Sequence, residues 1–481
     1  MINKKKQMMK TFHMEGNNSR DDSFGVGHHF QTVCRVAPNP GSPDSATPDF
    51  LPLSLFDIRW LRFAPVQRLY FYEIFSTDSI VPKLKASLSL TLQHFLPLAG
   101  NLTWPQDSPK PILHYAKGDT ISLTVAESAA DFGHLSSNYD LLEVQEYHPL
   151  VPQLEASHDR SAVMALQVTV FPNRGFTIGT SMHHAVLDGK TSTSFLKSWA
   201  HICKHEEPGS SSSLLLPDEL KPFYDRTVIQ DLAELGALYS DQYRNMEGPD
   251  NRSLMVWNLQ APLESIRGTF KLCHAKIQKL RQYVMTRMAM KKQYDDSESS
   301  VLHLSTFCLA CAYTWVCLVK TQEAKEDKAR LIFPVDCRSR LDPPIPATYF
   351  GNCIAGRLAI AETKGLLGED GLVVAVNAII EAIKSLDYGV LNGAENWVSR
   401  LCTVLSDRVA SVAGSHRFGV YETDFGWGIP KKVDLVSIDR TGAISLSDTN
   451  NGDRGLDVGL VLQKHYIDVF ASQFAKGLEN L

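Results

Sequence analysis

Apolar and polar positions along this chain follow two periods, and the switches between them mark its elements. In VPKLKASLSLTLQHFLPLAGNL (81–102), Leu84, Leu88, Leu92, Phe95 and Leu96 recur at helical spacing until Pro97 and Gly100 end the pattern. That predicts an amphipathic helix packed on a core. In ALQVTVFPNRGFTIGTSMHH (165–184) the period drops to two: Leu166, Val168 and Val170 alternate, PNRG supplies a turn, and Phe176, Ile178, Thr180 and Met182 alternate again. Two strands follow from this, with His184 on the face of the second set and His183 on the other.

The second strand stops at LDGKT, where Gly189 relaxes the backbone and Asp188 or Thr191 can cap the next helix. In that helix Phe195, Trp199, Ile202 and Cys203 fall on one buried side. The Ser-, Pro- and Gly-rich HEEPGSSSSLLLPDELKP (205–222) then reads as a linker between halves. Beyond it come GTFKL, a helix from about Ala275 to Met290, a charged loop KKQYDDSESS and an apolar helix over 304–319. The end, DLVSIDRTGAISLSDTNNGDRGLDVGLVL, reads as strands joined by Gly/Asn/Asp turns. No fixed-period repeat occurs, which excludes solenoids and propellers.

A chain of 481 residues exceeds what one hydrophobic core usually serves, so two domains or one bilobal body are expected, with room for a deep cleft. The net charge of −5, built from mixed signs, argues against a nucleic-acid surface. Lys4, Lys5 and Lys6 are locally basic, but the start around them is polar and lacks a signal-type apolar stretch, so it reads as a tail. LSTFCLACAYTWVCLV is too short to span a bilayer comfortably and is expected to be a buried helix. Nine cysteines without regular spacing suggest free thiols in a reducing, cytoplasmic compartment. Cys308 and Cys311 form a CxxC with no second pair, which reads as two buried thiols one helical turn apart.

At the junction of strand and helix, His184 can serve as a general base, since an ordinary imidazole is mostly neutral at pH 7. Asp188, four residues on, could bond the ring or turn away to pin the loop on an arginine. Alone, a His-x-x-x-Asp fits a structural role as well, and a metal site on His183, His184 and Asp188 lacks further ligands at usable spacing. The GxSxG, GxxxxGK[ST] and GxGxxG templates are absent. In DFGWGIPKKVD (424–434), Gly426 and Gly428 flank Trp427 and permit a sharp turn around a packed ring.

HHAVLDG followed some 240 residues later by DFGWG resembles the plant BAHD acyltransferases, which pass an acyl group from coenzyme A to an alcohol or amine. The likeness runs from about residue 30 through LPLSLFDIRWL, PLAGNL, QVTVFPNRGF and VDCRSRL. YFGNC and HHAVLDGKT with FLKSWAH are similar to the branch of phenolic-glucoside and anthocyanin malonyltransferases. The resemblance implies an α/β fold of two similar, mixed α+β, chloramphenicol-acetyltransferase-like domains with a solvent channel between them. The division is then a tail (1–28), an N-terminal domain (29–204), the crossover (205–222) and a C-terminal domain (223–481). It also implies His184 as base, with Asp424 counted beside it as an essential channel-wall residue, and Asp188 paired with Arg338. Gly189 and Trp427 support the site, with the Trp427 indole and the Ser415 region as oxyanion donors.

Ser305, Thr306 and Ser415 are nominated for acyl-CoA. A malonyl donor brings a free carboxylate and calls for a cation, for which Lys190, Arg338 and Arg417 stay open. Ile429 stands where relatives often carry Arg or Lys, although Lys431 and Lys432 follow. The implied activity is malonyl transfer from malonyl-CoA to a sugar hydroxyl of a phenolic or flavonoid glucoside. A hydroxycinnamoyl donor is the alternative, and a non-catalytic binding protein of the same fold the remote one. Acyl-CoA and the glucoside are the expected partners of a monomer, with neither metal nor cofactor.

Overall fold

The computed structural model describes residues 28–40, 47–76, 79–138, 140–205, 215–292, 304–406 and 409–479. Lys4 to Lys6, half of the Ser-rich linker (206–214) and nearly all of KKQYDDSESS lie outside them. Two large sheets carry the chain. The first has six strands in the order His28–Val36, Ile121–Ser128, Met164–Phe171, Gly175–Met182, Val66–Glu73 and Lys432–Leu435. The second has seven, in the order Ile354–Glu362, Lys328–Asp336, Ala410–Gly414, Ile444–Ser447, Leu456–Gln463, Ser265–Leu272 and Leu142–Glu143.

The hairpin Met164–Phe171 and Gly175–Met182 forms where alternation places it, with Phe176 opposite Val170 and Ile178 opposite Val168. Its exposure does not alternate, however: every residue of Gly175–Met182 is buried. The strand is central, between Met164–Phe171 and Val66–Glu73, and both faces are covered. The helix Ile80–His94 buries Leu84, Leu88 and Leu92, and the helix Gly189–His205 buries Phe195, Trp199, Ile202 and Cys203. Their contact is fastened by the Trp199 indole, which donates to the Leu84 carbonyl and the Ser87 hydroxyl.

The helix Thr306–Thr321 is apolar almost all round and correspondingly buried, with Ser305 capping it by accepting from the Cys308 amide at 3.2 Å. Burial pushes the Cys308 thiol up to about 12 and Cys311 well above its ordinary value. Both stay protonated at neutral pH, which is poor chemistry for a ligand or nucleophile. Among the described residues, no helix is long and apolar enough to cross a membrane.

The halves exchange strands, which a cut at 205–222 does not capture. Leu142–Glu143 pairs with Ser265–Leu272 in the second sheet, and Lys432–Leu435 pairs with Val66–Glu73 in the first. The DFGWG segment, expected with the second half, packs against the first: Phe425 meets Trp199 edge-on at 4.9 Å and Tyr72 at 5.7 Å. The core of the first half likewise takes in Cys337, Tyr349, Phe350, Trp397 and Val433.

Candidate active site

Between the halves lies a cavity of about 2420 Å³, walled by His184, Asp188 and Lys190 from the first and by Arg338, Arg357 and Ser415 from the second. The hairpin aims the two histidines differently. His183 is fully buried, its Nδ1 accepting from the Ala185 amide, while His184 is partly exposed on the cavity wall.

The His184 imidazole stacks on Trp60, ring centroids 4.0 Å apart and 4° from parallel, and Phe63 closes in edge-on at 5.5 Å. Its carbonyl accepts from Asn352 Nδ2 at 2.8 Å, and Asp57 holds Asn352 through both the backbone amide (2.8 Å) and the carboxamide (3.0 Å). Nδ1 is buried and has no hydrogen-bond partner among the described residues. Burial pulls this imidazole down to about 4, against smaller upward effects of its own carbonyl, Asp188 and Asn352. The ring is therefore neutral at pH 7, the form a base requires.

Asp188 turns away from the imidazole. One carboxylate oxygen accepts from the Thr191 amide at 2.9 Å and caps the helix Gly189–His205; the other meets Arg338 Nη1 at 2.9 Å and the Cys353 amide at 3.1 Å. Burial alone would raise its pKa, but Arg338 and the two amides hold it below the ordinary carboxylate range. Arg338 in turn donates through Nη2 to the Thr191 hydroxyl and to the Tyr349 and Gly351 carbonyls. The cluster thus ties the loop after His184 to the second half. Beside it, Gly189 makes room for Phe418: a Cβ there would lie 2.5 Å from the Phe418 ring.

Asp424 lines the cavity, as a channel-wall residue would, but the structure does not bring it or Trp427 to His184. Asp424 bonds Lys204 Nζ at 2.7 Å, and Lys204 stands 15 residues beyond Gly189, about 22 Å along the helix axis. Its other oxygen accepts from the amides of Gly426 (2.8 Å) and Gly428 (2.9 Å), whose φ of +101° and +95° suit glycine. Trp427 packs edge-on against Phe176 at 5.5 Å, and Phe176 lies six residues before the strand end at Met182, about 20 Å of strand. The motif is thus a clasp at the far end of helix and strand, and the Trp427 indole is not placed to meet an oxyanion at His184.

Ser305 and Ser415 both line the cavity; Ser415 Oγ accepts from the Arg417 amide, and Thr306 sits in the first helical turn, off the wall. Of the cations left open for a carboxylate, Lys190 is held by Asp336 at 3.3 Å and Arg338 by Asp188, whereas Arg417 is exposed. Ile429 is also exposed, at 54%, and Lys432 is buried against Asp434. The sequence reading missed Trp60, Phe63, Asn352 and Arg59 as site residues. FDIRWLRF and YFGNC contain all four, but apolar spacing gives them no mark that separates a cavity wall from core.

Fold and site together define a two-lobed transferase with a neutral imidazole in the cavity between its halves. The fold is shared with vinorine synthase, 18% identical with a TM-score of 0.64, covering 92% of this chain and 97% of that one. The Transferase family model matches residues 36–476, and the chain belongs to this family, the BAHD acyl-CoA-dependent acyltransferases. Phenolic glucoside malonyltransferase 1 of Arabidopsis thaliana is 40% identical over 93% of this chain and 97% of its own length. Agmatine coumaroyltransferase of the same plant is 36% identical over 93% and 98%.

Proposed function

We propose that the protein transfers a malonyl group from malonyl-CoA to a sugar hydroxyl of a phenolic or flavonoid glucoside, with His184 as the general base. The observation that carries this reading is the His184 imidazole, held neutral on the wall of a cavity that both halves line. The similarity to phenolic glucoside malonyltransferase 1 supports the choice of donor and acceptor class.

A thioester is already activated, so one displacement suffices. With Nδ1 shut away, Nε2 is the ring nitrogen left for the acceptor. It takes the hydroxyl proton as the oxygen attacks the thioester carbon. The tetrahedral oxyanion then collapses, the C–S bond breaks, and the imidazolium returns its proton to the departing CoA thiolate. No acyl-enzyme forms. Asp188 and Arg338 are positioning residues, Asp424 braces the clasp, and Ser305 and Ser415 are wall groups for the acyl-CoA.

A hydroxycinnamoyl donor is the second reading, favoured by the similarity to agmatine coumaroyltransferase and by the indole and phenyl rings of Trp60 and Phe63 around His184. Purified protein and His184→Ala are offered malonyl-CoA and p-coumaroyl-CoA separately against a panel of phenolic and flavonoid glucosides. The expected result is malonyl transfer that falls about 10²- to 10⁴-fold in the variant. Transfer from the aromatic donor alone would overturn the donor; malonyl transfer indifferent to His184 would overturn the mechanism.

A further inference from the structure

We infer that Arg59 is the receptor for the donor's free carboxylate, with Arg357 as the second cation of the same wall. This rests on the malonyl donor proposed above.

Arg267 is paired with Asp434 and Asp439, Arg338 with Asp188 and Asp336, and Arg62 with Glu247. Arg59 and Arg357 are 5% and 7% exposed and line the cavity, yet among the described residues no carboxylate lies within ion-pair distance of either. Arg59 Nη1 donates to the Ile354 carbonyl; its Nε is buried without a partner, and Nη2 makes no hydrogen bond among the described residues. Arg357 uses Nη1 and Nη2 on the Gly356 and Val390 carbonyls, and its Nε is likewise unpartnered. Arg68, also buried on this wall, is engaged by the hydroxyls of Tyr70 and Thr193. A buried cation without a counter-charge is costly, and burial pulls the Arg59 guanidinium down to about 10. An anion supplied by the ligand would relieve that cost, and a carboxylate fits the planar fork.

Position selects the donor's carboxylate over other anions. The Arg59 guanidinium carbon lies 4.6 Å from the Trp60 ring centre and 4.4 Å from that of Trp397, and Trp60 also stacks on the His184 imidazole at 4.0 Å. Base and guanidinium are therefore within about 9 Å of each other, allowing for one indole between them. A hydroxyl bonded to the base, a thioester carbon about 3 Å beyond it, a second carboxyl carbon about 2.5 Å further and about 4 Å from that carbon to the guanidinium make a path of about 12 Å when extended, so a bent donor rounding the indole reaches across such a span. An acetyl group would leave the fork unpaired.

The test compares malonyl-CoA with acetyl-CoA on one neutral glucoside, for the full chain and for Arg59→Gln, Arg59→Lys and Arg357→Gln. The expected result is a malonyl-to-acetyl ratio of kcat/KM that falls about ten- to hundredfold in Arg59→Gln, less in Arg357→Gln, and is partly restored in Arg59→Lys. In the unaltered protein the acid limb of kcat lies at higher pH with malonyl-CoA than with acetyl-CoA, because the bound carboxylate offsets the Arg59 charge that disfavours imidazolium. Should Arg59→Gln fail to fold, the unaltered protein offered the monomethyl ester of malonyl-CoA gives the same reading, with a tenfold or greater loss expected. An unchanged ratio in Arg59→Gln, or no loss with the ester, overturns the inference while malonyl transfer itself stands. A penalty seen only with an acceptor glucoside that carries its own carboxylate also overturns it, assigning Arg59 to the acceptor. If the unaltered protein transfers no malonyl, titration of malonyl-CoA and acetyl-CoA against it and Arg59→Gln still reads the site: equal affinities for both thioesters overturn the inference separately from the activity.

Discussion

Replacing Asp188 separates a positioning carboxylate from one that acts on the imidazole. In Asp188→Ala the Thr191 and Cys353 amides lose their acceptor and Arg338 keeps, as its carboxylate partner, Asp336 alone, which is 45% exposed. Removing one partner of a buried pair costs about 3–5 kcal/mol, and the lost helix cap, worth about 1 kcal/mol alone, overlaps with that rather than adding to it. The expectation is about 3–5 kcal/mol for Asp188→Ala, and about 1–3 kcal/mol for Asp188→Asn, which keeps an acceptor. At about 2–4 °C per kcal/mol, the alanine variant melts roughly 10 °C lower. A chain with two large cores need not unfold in one step, so the decisive measurement is a double-mutant cycle of Asp188→Asn with Arg338→Met, read in urea midpoints of activity loss. Strong coupling, with kcat falling in both single variants, is expected. Coupling below about 0.5 kcal/mol, or near-native kcat in both, would refute the positioning role.

Other outcomes follow from the same geometry. Asp424→Asn and Lys204→Met, at the clasp about 22 Å of helix from Gly189, should lower the melting temperature without moving the acid limb of the pH–rate profile; a shifted limb would assign Asp424 to the chemistry. Gly189→Ala places a methyl against the Phe418 ring and should cost about 1–3 kcal/mol, partly recovered by Phe418→Leu, and a neutral effect would show that the ring yields. The folded-state pKa values of His183 and His184, about 3 and about 4, lie below the ordinary 6.5, so the unfolded chain binds their protons first. Stability on this account is complete above pH 6.5 and declines as pH falls towards 3, joined below about pH 4 by the loss of the depressed Asp188 carboxylate. Unfolding midpoints between pH 7 and 4 that do not move would contradict the desolvation that lowers both imidazoles.

Much of this arrangement is legible in the residues because local periods are local physics. The helices around Leu88 and Trp199, the hairpin ending at Met182, and the junction that sets His184 at a strand end and Asp188 at a helix start all follow from spacing and capping chemistry. Motif order and resemblance supplied the family. Exposure along the central strand was not legible, since alternation marks two faces but does not say that both are covered.

What only the tertiary structure decided concerns residues far apart in the chain, whose juxtaposition depends on loop closure and packing rather than on any local pattern. Lys432–Leu435 joins the sheet of the other half, Asp424 clasps Lys204 instead of approaching His184, and Asp57 reaches across to hold Asn352 against the His184 carbonyl. The same holds for charge. Sequence counts arginines, but whether a guanidinium has a carboxylate beside it is a matter of a few ångströms in space, which is why Arg338 is satisfied by Asp188 while Arg59, beside Trp60, has no carboxylate partner among the described residues. The sequence by itself determined the elements, the motif order and the histidine proposed as the base; packing determined which residues stand beside it.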